Sequence, residues 1–201
     1  MGLNYYVIDI ESTGLKSDYH EITQISIIRC SDRNQLSRYV RPEFPERTSE
    51  QALTATGRTM KDLYKGIPKE EAIDACENFL NEDQQTSEHR CMVGHHVSFD
   101  RKFVYALWHS YNKTFPAVCW LDTESCIRSY AKLNLGLQKV SFKLHSSLEH
   151  CGLKPRPGAH NAISDTQNTF ILMDYLKNKD FDYLPFIKRV PQEEESDNNS
   201  E

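Results

Sequence analysis

The chain of 201 residues lacks any long apolar run. A helix that crosses a membrane needs about 20 predominantly apolar residues in succession, and no stretch of this sequence approaches that length, which argues against a membrane protein. The first residues, Met1-Gly2-Leu3-Asn4, contain no basic group and do not match a secretory signal. Tyr6 stands where a myristoylation signal has Ser or Thr. The sequence therefore predicts a protein without a membrane anchor.

Cysteine is present, but without the spacing of a metal or disulfide site. No CxxC pair occurs, the spacings do not suggest zinc ligands, and most of the cysteines lie among apolar neighbours. Free buried thiols in a reducing compartment explain this pattern best, so we expect a cytoplasmic protein. The six cysteines are Cys30, Cys76, Cys91, Cys119, Cys126 and Cys151.

An overall positive charge is also lacking. The chain has 24 Lys and Arg against 29 Asp and Glu, and its formal net charge is −5. Five of the acids lie in residues 191–201, and without them 24 acids balance 24 basic residues. Any nucleic acid must then bind a local basic patch. A solvated helical face explains the one candidate equally well. Its members are Arg128, Lys132, Lys139, Lys143, Lys154 and Arg156.

The apolar patterning predicts one α/β domain over residues 1–190, followed by an acidic, disordered tail at 191–201. Residues 180–190 are expected to form a short packed segment. Five strands are predicted at residues 5–10, 22–29, 35–40, 91–94 and 117–121. Helices are predicted at 60–64, after Pro68, from Asp100, and at 123–133, 142–151 and 164–177.

Two carboxylates close the first predicted strand. Asp9 and Glu11 are two residues apart, so their side chains leave the same face of the strand. Two carboxylates at the end of a buried strand repel each other and lose hydration, and a bound cation would remove both costs. Open α/β sheets also bind ligands at the carboxyl ends of their strands. The alternative is a pair that has simply reached solvent, and the DxE pattern alone does not decide between them.

Three further residues add to this pattern. Asp165 shares the apolar stripe of the last predicted helix with Leu172 and Leu176, where an ionised carboxylate needs a partner. His160 precedes it in a loop, and a histidine, with an unperturbed pKa of about 6.5, can act as a general base. Asp100 lies at a strand-to-helix junction. Taken singly, capping explains Asp100 and Asp165, and His160 is an ordinary surface histidine.

Three motifs together resemble those of the DnaQ-like (DEDDh) 3′→5′ exonucleases, a branch of the ribonuclease H-like fold. The family motif DxETTGL appears as DIESTGL at 9–15, GHNxxFD appears as GHHVSFD at 94–100, and HxAxxD appears as HNAISD at 160–165. The resemblance covers roughly residues 4–178 and implies a central mixed five-stranded sheet flanked by helices. Ser12 replaces the usual Thr, and His96 replaces the usual Asn.

The resemblance implies a catalytic role for five residues. Asp9 would bridge two Mg²⁺ or Mn²⁺ ions. Glu11 and Asp165 would hold one of these ions, and Asp100 would serve the other, largely through water. His160 would be the general base. Such a pair of ions would stabilise charge on the attacking and leaving oxygens of an in-line displacement.

The resemblance also implies substrate contacts. Thr13 and Gly14 would meet the terminal 3′-hydroxyl. Leu15 and Phe99 would pack against the last bases, a contact that tolerates any sequence. His96 would lie near the scissile phosphate and would donate a hydrogen bond to it when protonated.

The predicted function is therefore 3′→5′ hydrolysis at single-stranded 3′ ends, with DNA favoured over RNA and 5′-mononucleotides released. Without an attached polymerase segment, the protein would act alone or beside a polymerase or another protein partner. An RNA 3′-end-processing exoribonuclease is the first alternative. A non-catalytic nucleic-acid-binding or scaffold protein, or a hydrolase of other phosphate esters, are further ones. The acidic tail is interpreted as a solvating appendage, in preference to a mask for the basic patch.

Overall fold

The computed structural model describes residues 2–158 and 160–191. Residues 192–201 of the predicted acidic tail lie outside the described part. No helix within these ranges combines the length and apolarity needed to cross a bilayer. The strands are β1 (Asn4–Ser12), β2 (Ile22–Arg29), β3 (Gln35–Tyr39), β4 (Arg90–Gly94), β5 (Cys119–Asp122) and β6 (Ile187–Arg189). The α-helices are α1 (Glu50–Thr56), α2 (Met60–Leu63), α3 (Lys69–Asn81), α4 (Ser98–Ser110), α5 (Thr123–Tyr130), α6 (Leu144–His150) and α7 (Ala162–Asn178).

The strands form one mixed sheet in the order β3-β2-β1-β4-β5-β6. β1 pairs antiparallel with β2 and parallel with β4, and β4 pairs parallel with β5. This architecture confirms the predicted fold class. The sheet has six strands rather than five, because residues 187–189 pair antiparallel with β5 at the sheet edge. The sequence predicted this region only as a packed segment.

Helices cover both faces of the sheet, and the alternation of β1 side chains assigns each residue to a face. Tyr6 and Ile8 belong to the cluster that includes residues of α3 and α4. Val7 belongs to the opposite cluster, with residues of α5, α6 and α7. Asp9 and Glu11 share the parity of Val7, so they emerge on the face that α7 covers.

Helix α1 is a helix that the sequence pattern did not predict. None of its seven residues is fully buried, so it lacks the apolar stripe from which helices are recognised. Its two ends, however, carry residues that are typical of helix caps. Ser49 caps the start by accepting a hydrogen bond from the Ala52 N–H at 3.1 Å, and Gly57 ends the helix with a φ of 65°.

A buried ion pair lies at the end of the sheet where β1 and β4 begin. The Arg90 and Asp83 side chains are 2% and 6% exposed and are joined at 2.8 Å. Asp83 also accepts hydrogen bonds from the Tyr6 hydroxyl and the Gln85 N–H. Burial by itself would raise the pKa of Asp83, but these donors outweigh it and lower the pKa to about 2. Asp83 is therefore ionised in the folded protein at any physiological pH.

Asp83→Ala is expected to cost about 3–5 kcal/mol of unfolding free energy at pH 7, because it leaves the Arg90 guanidinium buried without its carboxylate. The lowered pKa means that this stability is complete above the unfolded pKa of about 4 and is lost as the pH falls towards 2. Urea denaturation at pH 7 measures the cost. As a control, Asp74→Ala removes an exposed partner of Lys113 and should cost much less, because exposed ion pairs contribute little to stability. Equal costs for the two variants would contradict the assignment.

Candidate active site

A cavity of ≈ 770 Å³ opens at the carboxyl ends of β1 and β4. Parallel strands end at the same edge of a sheet, so the loops that follow them meet there. The walls are the end of β1 and its following turn, α1, the start of α4 and the loop before α7. All five predicted catalytic residues line this cavity: Asp9, Glu11, Asp100, His160 and Asp165.

Three of the carboxylates form a compact group. Asp9, Glu11 and Asp165 each present an oxygen, and these atoms lie within 4.8 Å of one another. Asp9 and Glu11 come from β1, and Asp165 comes from the first turn of α7, whose start is capped by Asn161. A set of carboxylate oxygens at this spacing suits a hard divalent cation such as Mg²⁺ or Mn²⁺.

Asp100 lies in the same cavity but outside this trio. It belongs to the first turn of α4 and is 4% exposed. Its Oδ1 accepts a hydrogen bond from the Ile10 N–H at 2.9 Å, in the strand segment between the two β1 carboxylates. One of its oxygens is thus committed to holding α4 against β1, which leaves the other for the cavity.

Burial raises the pKa of all four carboxylates, and neighbouring acids raise it further at Asp9, Glu11 and Asp100. Burial raises the pKa of Asp9 well above its usual range, and Asp100, Asp165 and Glu11 raise it further. Burial, Asp165 and Asp100 raise the pKa of Glu11 to about 8, against a lowering effect of the Arg58 charge. Burial raises the pKa of Asp100 to about 7. Without a cation the site therefore retains protons at neutral pH, and such clustering of shifted carboxylates is typical of functional sites.

His160 lies at the rim of the trio. Its backbone has a φ of 59°, in the left-handed region, and its N–H donates to Asp165 Oδ2 at 2.9 Å. The residue is exposed and lines the cavity. The chain thus anchors the backbone of His160 to a carboxylate of the trio and leaves its ring at the open side.

Four of the five predicted substrate residues reach the cavity, and Thr13 does not. Gly14, Leu15, His96 and Phe99 line it, and Leu15 is 84% exposed. Thr13 is fully buried, and its hydroxyl accepts a hydrogen bond from the N–H of Glu21 at 2.9 Å. Its side chain is occupied in fixing the turn after β1, so the structure places it away from the cavity that a 3′-hydroxyl would enter.

Gly14 lies against His20, a histidine that the sequence did not single out. A Cβ on Gly14 would lie 2.3 Å from Cδ2 of His20, whose ring rests against the glycine and also lines the cavity. His96 has a φ of 66°, and its N–H donates to Asp122 Oδ1 at 2.9 Å. Its Nδ1 lies 3.6 Å from Glu124 Oε2, so this ring already has an acidic neighbour.

Two further histidines belong to the surroundings of the site. His145, on α6, places Nε2 at 4.0 Å from Asp165 Oδ1. His95 is locked, because its ring nitrogens contact Thr123 Oγ1 at 3.0 Å and the carbonyl of Phe142 at 2.7 Å. No sequence signal points to His145, since its proximity to Asp165 depends on the packing of α6 on α7.

The predicted basic patch has two kinds of members. Lys132, Lys139 and Lys143 are exposed, and none forms an ion pair within the described residues. Arg128, by contrast, pairs with Glu124. The lysine-bearing segment reaches the cavity through the Phe142 carbonyl, which accepts the His95 ring hydrogen bond. Lys143 directly follows Phe142, whereas none of the three lysines is among the residues that line the cavity.

The chain is similar to known exonuclease sequences. A family model, RNase_T, described as exonuclease, matches residues 6–173. The 3′-5′ exonuclease DinG of Staphylococcus haemolyticus is 28% identical over 190 residues, which cover 90% of this chain and 19% of that protein. A DNA polymerase III PolC-type of Lacticaseibacillus paracasei is 31% identical over 181 residues, covering 87% of this chain and 11% of that one. The chain thus spans less than a fifth of the length of these relatives.

Solved structures show the same fold. The nuclease domain of 3′hExo, a DEDDh family member bound to rAMP, superposes with a TM-score of 0.75 at 16% identity, covering 94% of this chain and 97% of that chain. An Escherichia coli ExoI–ssDNA complex superposes with a TM-score of 0.74 at 16% identity, covering 89% of this chain and 41% of that chain. Likeness at these identities is a likeness of fold.

Proposed function

Because the chain belongs to the RNase_T exonuclease family, we propose that it is a metal-dependent 3′→5′ exonuclease that releases 5′-mononucleotides from single-stranded ends. The observation that carries the proposal is the carboxylate trio of Asp9, Glu11 and Asp165, with oxygens within 4.8 Å of one another. Burying carboxylates that repel one another has a cost that a cation offsets. A scaffold protein without catalysis would gain nothing from burying mutually repelling carboxylates. The trio therefore supports an enzyme over that alternative.

The metal ions are proposed to be two Mg²⁺ or Mn²⁺. Asp9 would be shared between them, Glu11 and Asp165 would hold one, and Asp100 would serve the other. Bound cations would stabilise charge on the attacking and leaving oxygens of an in-line displacement. The all-oxygen donor set and the raised pKa of each carboxylate support this assignment.

The protein's own groups supply the rest of the chemistry. His160 is proposed to take the proton of the attacking water on a ring nitrogen, because it is exposed at the rim of the trio and its backbone is anchored to Asp165. Leu15 and Phe99 are proposed to pack against the terminal bases. Phe99 is supported from behind by Phe103, at 4.8 Å between ring centroids.

Two smaller contacts complete the proposed substrate site. Gly14 would approach the terminal 3′-hydroxyl, with the Thr13 side chain acting only to hold the turn. His96, which the resemblance places near the scissile phosphate, would donate a hydrogen bond to it. The exposed fraction of the His96 side chain, 70%, supports access of a ligand to the ring.

The proposed substrate is DNA, and the proposed location is the cytoplasm. The PolC-type relatives are named as DNA polymerases, and the ExoI structure is a complex with single-stranded DNA. The 3′hExo domain is bound to rAMP, which supports the RNA alternative. A polymerase or other protein partner is proposed because the matched relatives are much longer chains. All six cysteines are free thiols, in keeping with a reducing compartment.

The proposal is tested with 5′-labelled single-stranded DNA and RNA of one sequence, incubated with the protein in Mg²⁺ and in Mn²⁺. A ladder that shortens from the 3′ end is expected for the wild type, faster on DNA than on RNA. EDTA and the Asp165→Ala variant should each abolish it. A faster RNA ladder would favour the exoribonuclease, and no cleavage of either polymer would favour the scaffold.

The three exposed lysines, Lys132, Lys139 and Lys143, are proposed to bind phosphates of the strand on the 5′ side of the scissile bond. Replacing Lys132, Lys139 and Lys143 together by Gln should raise KM for a 20-nucleotide substrate about fivefold. It should also reduce the slope of log(kcat/KM) against log[salt] by about 2, since each phosphate contact in a single strand contributes about 0.7. The activity on a dinucleotide should not change.

A charge-matched triple variant controls for net charge. All three control lysines are exposed: Lys177 and Lys179 lie at the far end of α7 from Asp165, and Lys188 lies on the edge strand β6, three strands from β1. Their replacement by Gln should leave both KM and the salt slope close to the wild type. If the salt slope changed equally in the two triple variants, the change would come from the net charge of the protein. The assignment of Lys132, Lys139 and Lys143 to phosphate contacts would then be wrong.

A further inference from the structure

The first turn of α7 is attached to strand β2 by hydrogen bonds between buried polar side chains. The facing residues of β2 are Gln24 and Ser26, which are 1% and 0% exposed. We infer that Gln24 is a positioning residue of the exonuclease, which fixes the His160 loop over the carboxylate trio. The inference rests on the proposed function, because it concerns the same reaction.

The oxygen and the nitrogen of the Gln24 side-chain amide both form hydrogen bonds with the start of α7. Its Oε1 accepts a hydrogen bond from the Ala162 N–H at 3.3 Å, and its Nε2 donates to Asn161 Oδ1 at 3.4 Å. Asn161 is the N-cap of α7, and the same Oδ1 accepts from the Ile163 N–H at 3.0 Å. Gln24 thus binds both the cap and the first residue of the helix, which directly follow His160.

The strand register places these contacts beside the carboxylates. In the antiparallel pairing of β1 with β2, Gln24 lies opposite Glu11 and Ser26 lies opposite Asp9. Paired residues share a face of the sheet, so all four side chains point towards α7. The Ser26 hydroxyl lies 3.0 Å from the hydroxyl of Thr166, the residue after Asp165. Each β1 carboxylate therefore has a polar neighbour on β2 that holds α7 in place.

Hydrogen bonds fix a position more sharply than apolar packing, which tolerates sliding. His160 adopts a left-handed backbone, a conformation that persists only where the surroundings hold it. It is held through its own N–H by Asp165 and through the next two residues by Gln24. Loss of the Gln24 amide would release one of these two attachments, and the ring of His160 would then sample positions away from the attacking water.

Gln24→Met tests the inference, because methionine keeps the volume and removes both hydrogen bonds. We expect kcat to fall about 10- to 100-fold, a range typical of groups that orient catalytic residues, with KM for the oligonucleotide within about twofold. Ile28→Val, on the same face of β2 but away from the site, is the matched control and should keep the wild-type kcat. A wild-type kcat in Gln24→Met would overturn the inference.

A double-mutant cycle with His160→Ala shows whether Gln24 acts through the histidine. In the His160→Ala background, Gln24→Met should reduce kcat by less than about a further twofold, because the histidine ring that Gln24 is inferred to position is already absent. A full 10- to 100-fold further loss would mean that the two residues act independently, and the positioning role would be wrong.

A readout without catalysis separates this inference from the proposed function. Amide hydrogen exchange at Ala162 should be at least about tenfold faster in Gln24→Met than in the wild type, and unchanged in Ile28→Val. Unchanged exchange in Gln24→Met would overturn the attachment itself. If the wild type cleaved no nucleic acid while exchange at Ala162 accelerated as expected, the proposed function would fail and the attachment would stand.

Discussion

Asp9→Asn is expected to lower kcat of exonuclease cleavage by about 10³-fold or more while it stabilises the metal-free protein. Activity falls because Asp9 is proposed to be shared between both ions. Stability rises because the amide keeps the shape of the side chain and needs no proton to be neutral, whereas Asp9 must either bind a proton on folding or bury its charge beside Asp100, Asp165 and Glu11. The site would thus be an example of function maintained at a cost in stability.

The sign of the pH dependence follows from the raised pKa values. A carboxyl whose pKa is raised on folding, as for Asp9 and Glu11, favours the folded state below its unfolded pKa of about 4. That contribution is lost as the pH rises through the folded pKa, which for Glu11 is about 8. The wild type in EDTA should therefore lose stability between pH 5 and pH 8, and Asp9→Asn should lose less.

Thermal unfolding in EDTA measures this effect. At pH 8 the melting temperature of Asp9→Asn should exceed that of the wild type by about 3 °C or more. When Mn²⁺ replaces EDTA, the melting temperature of the wild type should rise and that of the variant should not. Asp18→Asn, which changes an exposed acid outside the trio, serves as the control and should behave as the wild type. A lower melting temperature for Asp9→Asn at pH 8 would contradict the electrostatic account.

His160→Ala is expected to lower kcat by about 10²- to 10⁴-fold, the usual contribution of a general base, and to leave binding of the metal intact. His160 is exposed at the rim and is not one of the three residues whose oxygens converge. The rise in melting temperature caused by Mn²⁺ should therefore match that of the wild type. Steady-state cleavage of a labelled oligonucleotide at saturating substrate gives kcat, and thermal unfolding gives the effect of the metal on stability.

His145→Ala is the matched control for the choice of base. Its Nε2 lies 4.0 Å from Asp165 Oδ1, so it is the other histidine beside the trio. The variant should lose less than about tenfold in kcat. If His145→Ala were the more damaging change, the base would be His145. If His160→Ala abolished the Mn²⁺ effect on unfolding, His160 would be a ligand and its assignment as base would be wrong.

The parts of the site that the sequence predicts are those set by local structure. Asp9 and Glu11 share a face because strand side chains alternate, and Asp165 lies near a helix start that Asn161 caps. The cavity follows from the parallel pairing of β1 and β4. The apolar runs of the sequence already predicted where these two strands end. The motif at 94–100 implied a role for Asp100, but its hydrogen bond from the Ile10 N–H depends on the packing of α4 against β1.

The parts that the sequence did not predict depend on tertiary contacts without a local pattern. Helix α1 forms a wall of the cavity although its residues are only half-buried or exposed, so no apolar period marks it. The edge strand β6 has three residues and gains its hydrogen bonds only from β5. The hydrogen bond from the Glu21 N–H to the Thr13 hydroxyl joins residues eight positions apart, and no local pattern marks it.

The most direct test of the central claim is the fate of a radioactive phosphate placed in the last phosphodiester of a single-stranded oligonucleotide. Hydrolysis by the trio of Asp9, Glu11 and Asp165, with His160 as base, should release the label first, as a 5′-mononucleotide, in Mg²⁺ and not in EDTA. Label retained on the shortened strand as a 3′-phosphate, or released only after internal cuts, would contradict the account.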